Sequence, residues 1–207
     1  MSTSSQSDRS LRPVVFLDRD GTLNIEAGYI RDVQNLNLIQ GAGEAVKKMN
    51  DAGIVCVLTT NQTGPARGYY PESHIHALHE RLIKLLAEHG AKLDAIYYCP
   101  HLSPEEGGKE APYNIACDCR KPGPGMIERA FREISGIDRG NCYVVGDKAT
   151  DIDFARACSC KGILVETGFG LDVQDGKYQW RVEPDFQAGS IVEAADWIIA
   201  SASARAD

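Results

Sequence analysis

The sequence contains no apolar run that approaches the roughly 20 residues of a membrane-spanning helix. Residues 1–10 are polar and rich in serine, and they lack the apolar segment of a secretory signal peptide. These absences predict a cytoplasmic protein with no membrane partner, in which residues 1–12 form a disordered tail. No internal repeat is visible, and the 207 residues fit one domain, which we place at residues 13–207.

Basic residues are also too few for a nucleic-acid-binding surface. The chain has 22 Lys and Arg against 29 Asp and Glu, which gives a formal net charge of −7 at pH 7. A charge of this sign opposes nonspecific binding to nucleic acid or to acidic membranes. An anionic small-molecule substrate would therefore need a local cluster of cations.

A short apolar run followed by acidic residues begins the predicted domain. Residues 14–17 favour a buried strand of a parallel sheet, and Asp18 and Asp20 follow it directly. Ligands bind at the carboxyl ends of such strands, where a pair of carboxylates is costly unless a cation such as Mg²⁺ lies between them. On this stretch alone, a metal site and a simple Asp-Gly turn are equally good interpretations.

Apolar runs and helical patterns alternate along the rest of the chain, which predicts βαβ units of a parallel sheet. We expect further strands at residues 54–58, 95–98, 142–145 and 162–165, and helices at residues 41–53, 71–90 and 123–135. Residues 195–199 fit either a short strand or a helix. The helix at 71–90 carries His74, His76 and His79, which we interpret as a solvated face rather than a metal site.

The segment 99–121 lacks regular periodicity and needs something to hold it in a compact domain. It contains two ligand pairs separated by residues 102–116, and these are Cys99 with His101 and Cys117 with Cys119. Three thiolates and an imidazole complete a tetrahedral zinc shell, so we predict a structural Zn²⁺ rather than unrelated loop cysteines. Cys158 and Cys160 are rival ligands that we interpret as core thiols.

Polar residues at separate strand ends should meet at one edge of the sheet. They are Asp18, Asp20, Thr60, Lys121, Asp147 and Asp151, of which the last two lie one helical turn apart. Carboxylates around one Mg²⁺, with a lysine and a hydroxyl nearby, suit phosphoryl transfer. In such a site Asp18 would attack phosphorus to form an aspartyl phosphate, and Asp20 would act as acid and then base.

Four ordered motifs, at residues 18–22, 60–61, 121 and 146–151, resemble those of the haloacid dehalogenase superfamily of phosphatases. The resemblance implies a Rossmann-like three-layer α/β/α fold with a central parallel sheet, no large cap and a small zinc-stapled loop. It also implies that Asp18 is the nucleophile and Asp20 the acid and base, with Thr60 and Lys121 as phosphoryl ligands. The implied Mg²⁺ ligands are Asp18, Asp20 and Asp147, with Asp151 in support.

Residues 18–24, 60–68, 99–101 and 117–122 resemble, more narrowly, the heptose-bisphosphate phosphatases of this superfamily. That resemblance implies removal of the 7-phosphate from D-glycero-D-manno-heptose 1,7-bisphosphate, a small sugar phosphate, and we expect a monomer. The implied substrate contacts are Glu26, Ala27, Gly28, Tyr29, Asn61, Gln62, Thr63, Arg67, Arg120 and Lys148. Two alternatives stay open: a histidinol-phosphate phosphatase, which shares the aspartates and the zinc loop, and a non-catalytic module that binds a phosphometabolite.

Overall fold

The computed structural model describes residues 11–204, and within this range one six-stranded sheet forms the centre of the molecule. All neighbouring strands pair in parallel, in the order β3-β2-β1-β4-β5-β6. The strands are β1 Arg12–Leu17, β2 Val55–Asn61, β3 Ala95–Cys99, β4 Ile137–Gly146, β5 Lys161–Val165 and β6 Phe186–Ala188. The order changes direction between β1 and β4, which is where open α/β sheets bind ligands.

Helices cover both faces of the sheet. They are α1 Ala42–Asp51, α2 Glu72–Glu88, α3 Gly125–Glu133, α4 Ala149–Ala157, α5 Gly170–Gln174 and α6 Ile191–Ser203. Side chains of β1 alternate between two apolar cores: Val15 and Leu17 pack with α1, α2 and α6, whereas Val14 and Phe16 pack with α3 and α4. The three-layer α/β/α class expected from the sequence is confirmed.

Most of the expected elements are present, with shifted ends. β1 begins at Arg12 and β4 at Ile137, because polar residues that show no apolar pattern also pair in the sheet. Residues 195–199 lie within α6, whereas β6 and α5 were not expected. The tail predicted for residues 1–12 lies outside the described residues except for its last two. None of the helices within residues 11–204 has the length and apolarity that crossing a membrane requires.

The interpretation of the α2 histidines as a solvated face is wrong for His79, which is 5% exposed. His79 lies four residues after Ile75 and three before Leu82, so it belongs to the stripe that faces the core. His74 and His76 contact Ile30 O at 2.8 Å and the Tyr98 hydroxyl at 2.7 Å through their Nε2 atoms. None of the three belongs to a metal-ligating group among residues 11–204.

We expect His79 to destabilise the protein in mild acid. Burial, aided by the nearby charges of Arg19 and His76, lowers the pKa of His79 from 6.5 to about 3. As the pH falls, His79 therefore takes up a proton in the unfolded chain before it does so in the folded chain. The contribution of neutral His79 to the unfolding free energy is complete above about pH 6.5 and falls towards pH 3, by at most about 1.4 kcal/mol per pH unit. Urea unfolding between pH 7 and 5 should show a shallower fall for His79→Gln, and equal slopes would contradict this cause.

Candidate active site

A cavity of about 250 Å³ opens at the carboxyl ends of β1, β2 and β4. Most residues that the sequence proposes for the site line it, and they are Asp18, Asp20, Glu26, Gly28, Tyr29, Thr60, Asn61, Gln62, Thr63, Lys121 and Lys148. They come from four separate stretches of the chain. Parallel strands bring these stretches to one edge of the sheet, as expected.

Three buried carboxylates meet at this edge. Asp18, Asp147 and Asp151 are each no more than 4% exposed, and their ligand oxygens lie within 4.8 Å of one another. Burial raises the pKa of Asp147 to about 7, against the charge of Lys148. Burial also raises the pKa of Asp151. A divalent cation would relieve this cost of ionisation, and carboxylate oxygens are the ligands that Mg²⁺ prefers, so the donor set fits that ion.

Two lysines balance part of this charge. Lys121 Nζ donates to Asp18 Oδ1 at 2.8 Å, to Asp151 Oδ1 at 2.6 Å and to the Thr59 carbonyl at 3.0 Å. Lys148 Nζ donates to Asp147 at 2.8 Å and lies 3.8 Å from Asp18 Oδ2. Burial opposes ionisation of Asp18, but the charges of Lys121 and Lys148 outweigh it and lower the pKa of Asp18. Asp18 is therefore a carboxylate at neutral pH, as a nucleophile must be.

Asn61 fixes the backbone of Lys121. Asn61 Nδ2 donates to the Lys121 carbonyl at 3.1 Å, and the Lys121 amide donates to Asn61 Oδ1 at 3.0 Å. The side-chain amide of Asn61 is thus already paired on both sides. The structure gives Asn61 a role in positioning Lys121, although the residue also lines the cavity.

The Asp20 carboxylate does not join the other three, which form a group that could hold a metal ion without it. Asp20 accepts hydrogen bonds from Arg19, at 3.1 and 3.2 Å, from Asn24 at 3.0 Å and from Gln62 at 2.8 Å. The cause is Arg19, which is 1% exposed and needs an anionic partner. Gln62 Nε2 also donates to Thr60 Oγ1 at 2.9 Å, so Asp20 stays beside an expected phosphoryl ligand.

Two glycines allow the segments that follow β1 and β5 to approach the Asp147 carboxylate. Gly21 and Gly168 have φ of +84° and +58°, and a Cβ at either position would lie 2.1 Å from Asp147 Oδ2. The same oxygen accepts a hydrogen bond from the Phe169 amide at 2.9 Å. Side chains at these two positions would therefore displace the carboxylate.

Other expected contacts lie outside the cavity. Ala27 lines a neighbouring groove, and Arg67 is not among the cavity-lining residues. Arg120 also lies outside the lining, and its Nε donates to Glu106 Oε1 at 3.2 Å. Arg120, expected to contact the substrate, thus pairs with an acid of the segment 99–121 instead.

Three lining residues were missed by sequence reasoning: Thr150, Phe169 and Tyr178. Phe169 had a detectable signal, because it lies between glycines in the segment 167–170, directly after β5 at the same sheet edge. Thr150 follows Asp147 closely and could have been found in the same way. Tyr178 lies in a segment without periodicity, and the sequence carries no signal for it.

The four expected zinc ligands converge at the end of β3. Cys117 Sγ lies 3.5 Å from Cys99 Sγ and 3.2 Å from Cys119 Sγ, and His101 Nδ1 lies 3.3 Å from Cys119 Sγ. Tetrahedral sulfurs at about 2.3 Å from zinc are about 3.8 Å apart, so the cluster fits a zinc ion after a small expansion. A hydrogen bond from Cys99 is the largest cause that lowers the pKa of Cys119 to about 5, whereas the same bond raises the pKa of Cys99 and burial raises that of Cys117. Without a metal, the thiols therefore share protons, and zinc would displace them.

The rival cysteines, Cys158 and Cys160, do not belong to this group of ligands. Cys160 is 7% exposed and belongs to the apolar core on the α3 side of the sheet, against which the partly buried Cys158 packs. Their interpretation as core thiols agrees with this placement.

The fold and the buried carboxylates define a class of protein, the HAD-like hydrolases. A sequence profile of the family described as HAD-hydrolase-like matches residues 118–194. The D,D-heptose 1,7-bisphosphate phosphatase of B. bronchiseptica, solved with magnesium and phosphate, superposes with a TM-score of 0.78. It is 29% identical, and the match covers 92% of this chain and 99% of that one.

Two relatives identify the family of this chain within the HAD-like hydrolases. The D-glycero-D-manno-heptose-1,7-bisphosphate 7-phosphatase of Thermosynechococcus vestitus is 52% identical over 188 residues, which are 90% of this chain and 95% of the relative. The D-glycero-beta-D-manno-heptose-1,7-bisphosphate 7-phosphatase of Haemophilus ducreyi is 40% identical over 90% of this chain and 98% of its own length. The chain therefore belongs to the heptose-1,7-bisphosphate 7-phosphatase family of HAD-like hydrolases, and the resemblance seen in the sequence is confirmed.

Proposed function

We propose that this enzyme removes the 7-phosphate from D-glycero-D-manno-heptose 1,7-bisphosphate by way of an aspartyl phosphate on Asp18. The observation that carries the proposal is the buried, ionised Asp18 carboxylate, which lines the cavity and is held by Lys121. The substrate is proposed from the activity for which the two relatives are named. A single domain over residues 13–207, a monomeric state and a cytoplasmic location complete the proposal.

The first step forms a bond between Asp18 and phosphorus and breaks the bond from phosphorus to the substrate's C7 oxygen. Lys121 occupies Asp18 Oδ1, so Oδ2 is the oxygen left to attack. The Thr60 hydroxyl and Lys121 bind the phosphoryl oxygens. Asp20 gives a proton to the leaving C7 oxygen and becomes the carboxylate that Arg19 and Gln62 hold in this structure. That carboxylate then takes a proton from the water that cleaves the aspartyl phosphate, which restores the acid for the next substrate.

The residues that would hold Mg²⁺ are Asp18 and Asp147, with Asp151 beside them. The Asp20 carbonyl oxygen lies near them, since Lys148 Nζ donates both to it and to Asp147, and it would be available as a main-chain ligand. Bound Mg²⁺ would reduce the repulsion between the attacking carboxylate and the phosphate.

Removal of Mg²⁺ should stop turnover without unfolding the protein. The lysine pairs already offset much of the charge of the three carboxylates, so the fold does not depend on the ion. We expect phosphate release to fall below detection in EDTA and to return with added Mg²⁺, while the far-ultraviolet circular dichroism stays constant. Turnover that persists in metal-free buffer would contradict the metal assignment.

Removal of Zn²⁺ should lower activity in a different way, by loosening the segment 99–121. Lys121 is two residues after Cys119, so release of the thiolates frees the segment that positions its ammonium group. A thiol-reactive chelation assay should release one zinc per chain and lower kcat at saturating Mg²⁺. Cys158→Ser is the matched control, since this thiol is not one of the four grouped ligands, and it should leave both zinc content and kcat unchanged. Full activity in zinc-free protein would refute the role of the loop.

The substrate assignment is tested by kcat/KM on the purified enzyme. We expect kcat/KM for heptose 1,7-bisphosphate to be at least about 100-fold higher than kcat/KM for histidinol phosphate. Differential binding in one pocket can produce a ratio of this size. A preference for histidinol phosphate would replace the proposed substrate. Tight binding of phosphate esters with no phosphate release would instead favour the non-catalytic alternative.

A further inference from the structure

The cavity has an aromatic side that no step of the proposed reaction uses. Phe169 and Tyr178 both line it, and their rings stack with centroids 4.1 Å apart and planes inclined by 10°. We refer to this pair as the aromatic wall. Both residues lie after β5, in or beside the short helix α5, and neither follows from the phosphatase motifs.

Phe169 ties the aromatic wall to the charged residues of the site. Its amide donates to Asp147 Oδ2 at 2.9 Å, and Lys148 Nζ lies 5.3 Å from the centroid of its ring. A cation over an aromatic face at this distance is attracted to the ring. The wall is therefore fixed relative to Asp147 and Lys148, which lie at the carboxylate edge of the site.

Tyr178 carries the polar group of the wall. It packs against the apolar cluster of Ala149, Ile152, Leu164 and Val173, and its amide donates to the Asp172 carbonyl at 3.1 Å. Its hydroxyl has no hydrogen-bond partner in the part of the chain that the structure describes, residues 11–204. A half-buried phenol that lines a cavity without a protein partner is free to bond a ligand.

The cavity thus combines charged groups, which suit a phosphate, with an aromatic side, which suits the carbon body of a sugar. The phosphoryl group is bound by Thr60 and Lys121, which leaves the carbon body of the ester to contact the other sides. A polyhydroxylated sugar offers C–H groups that pack against an aromatic ring and hydroxyls that bond a phenol. A phosphate ester without such a body would gain nothing from the wall.

We propose that Tyr178, supported by Phe169, is a specificity-determining residue that binds the polyhydroxylated body of the substrate. The inference rests on the proposed function, because it takes a phosphorylated sugar as the substrate. It goes beyond that function in naming what distinguishes a sugar phosphate from a simple phosphate ester. Tyr178 acts on substrate selection, whereas bond cleavage depends on the groups around Asp18.

The test compares kcat/KM for heptose 1,7-bisphosphate with kcat/KM for methyl phosphate, which has the reacting group but no sugar body. Tyr178→Ala should lower the ratio of the two by at least about 10-fold, through a higher KM for the sugar. Tyr178→Phe keeps the ring and loses the hydroxyl, so it should lower the ratio by roughly 2- to 12-fold, as one hydrogen bond predicts. Both variants are compared with the wild type at saturating Mg²⁺.

Trp180→Ala is the matched control. Trp180 lies on the same segment, is 47% exposed and does not line the cavity, and its Nε1 donates to Asp153. This variant should leave the ratio at the wild-type value. The proposal would be overturned if the ratio fell equally in Trp180→Ala. It would also be overturned if the ratio did not fall in Tyr178→Ala, whether kcat/KM fell equally for both substrates or for neither. If wild type prefers another sugar phosphate, the proposed function fails, and the same ratio measured with that ester still decides the role of Tyr178.

Discussion

Asp18→Asn is expected to lower kcat for phosphate release by at least about 10⁴-fold, the scale of losing a catalytic nucleophile. The asparagine side chain has the same shape, and its carbonyl oxygen keeps an acceptor for Lys121. It lacks the ionised oxygen that attacks phosphorus, so no aspartyl phosphate forms. Stopped-assay phosphate release under saturating substrate and Mg²⁺ measures the effect.

Asp175→Asn is the control for this substitution. Asp175 is exposed on the surface, where its carboxylate pairs with Lys177, and it should retain wild-type kcat. Thermal unfolding of Asp18→Asn should remain cooperative, which separates loss of chemistry from loss of fold. Turnover near the wild-type rate in a folded Asp18→Asn protein would show that another group attacks phosphorus.

Lys121→Met is expected to reduce both stability and activity. Lys121 is 4% exposed and bonds two carboxylates that are themselves buried, Asp18 and Asp151. Removal of one partner of a buried ion pair leaves uncompensated charge and costs roughly 3–5 kcal/mol of unfolding free energy. Loss of a phosphoryl ligand should also lower kcat by about 10²- to 10³-fold. Urea unfolding and steady-state kinetics measure the two effects.

A surface lysine and a double variant make this prediction specific. Lys92→Met removes a lysine whose side chain is 69% exposed and whose partner is Asp94, so it should change the unfolding free energy by less than about 1 kcal/mol. Adding Asp18→Asn to Lys121→Met removes one unpaired carboxylate and should recover part of the lost stability. A Lys121→Met protein as stable as wild type would mean that the buried carboxylates do not depend on this cation.

The sequence predicted the sheet and most of the site because both depend on local patterns. Apolar runs mark the buried strands, and the reacting groups follow these runs within a few residues, as Asp18 follows β1 and Asp147 follows β4. Strands of a parallel sheet all end at one edge, so the convergence of these groups required no knowledge of side-chain contacts. The cluster of Cys99, His101, Cys117 and Cys119 was found for a similar reason, since two short pairs in the sequence identify it.

What the sequence did not show depends on contacts between distant residues. The Asp20 carboxylate points towards Arg19 and Gln62 because a buried guanidinium needs an anion, and no spacing rule contains that requirement. Arg120 pairs with Glu106 of the loop rather than lining the cavity. His79 is buried because its position falls on the core stripe of α2, although its residue type suggested solvent. Tyr178 reaches the cavity from a segment that has no pattern.

The most direct test of the account is a crystal structure with Mn²⁺ in place of Mg²⁺ and with beryllium trifluoride as a phosphoryl mimic. Anomalous scattering locates Mn²⁺ without reference to any assumed ligand. We predict one Mn²⁺ bound by carboxylate oxygens of Asp18 and Asp147, with the mimic attached to Asp18. An ion bound elsewhere, or a mimic attached to another residue, would contradict the claim that these acids meet around one cation to form the phosphatase site.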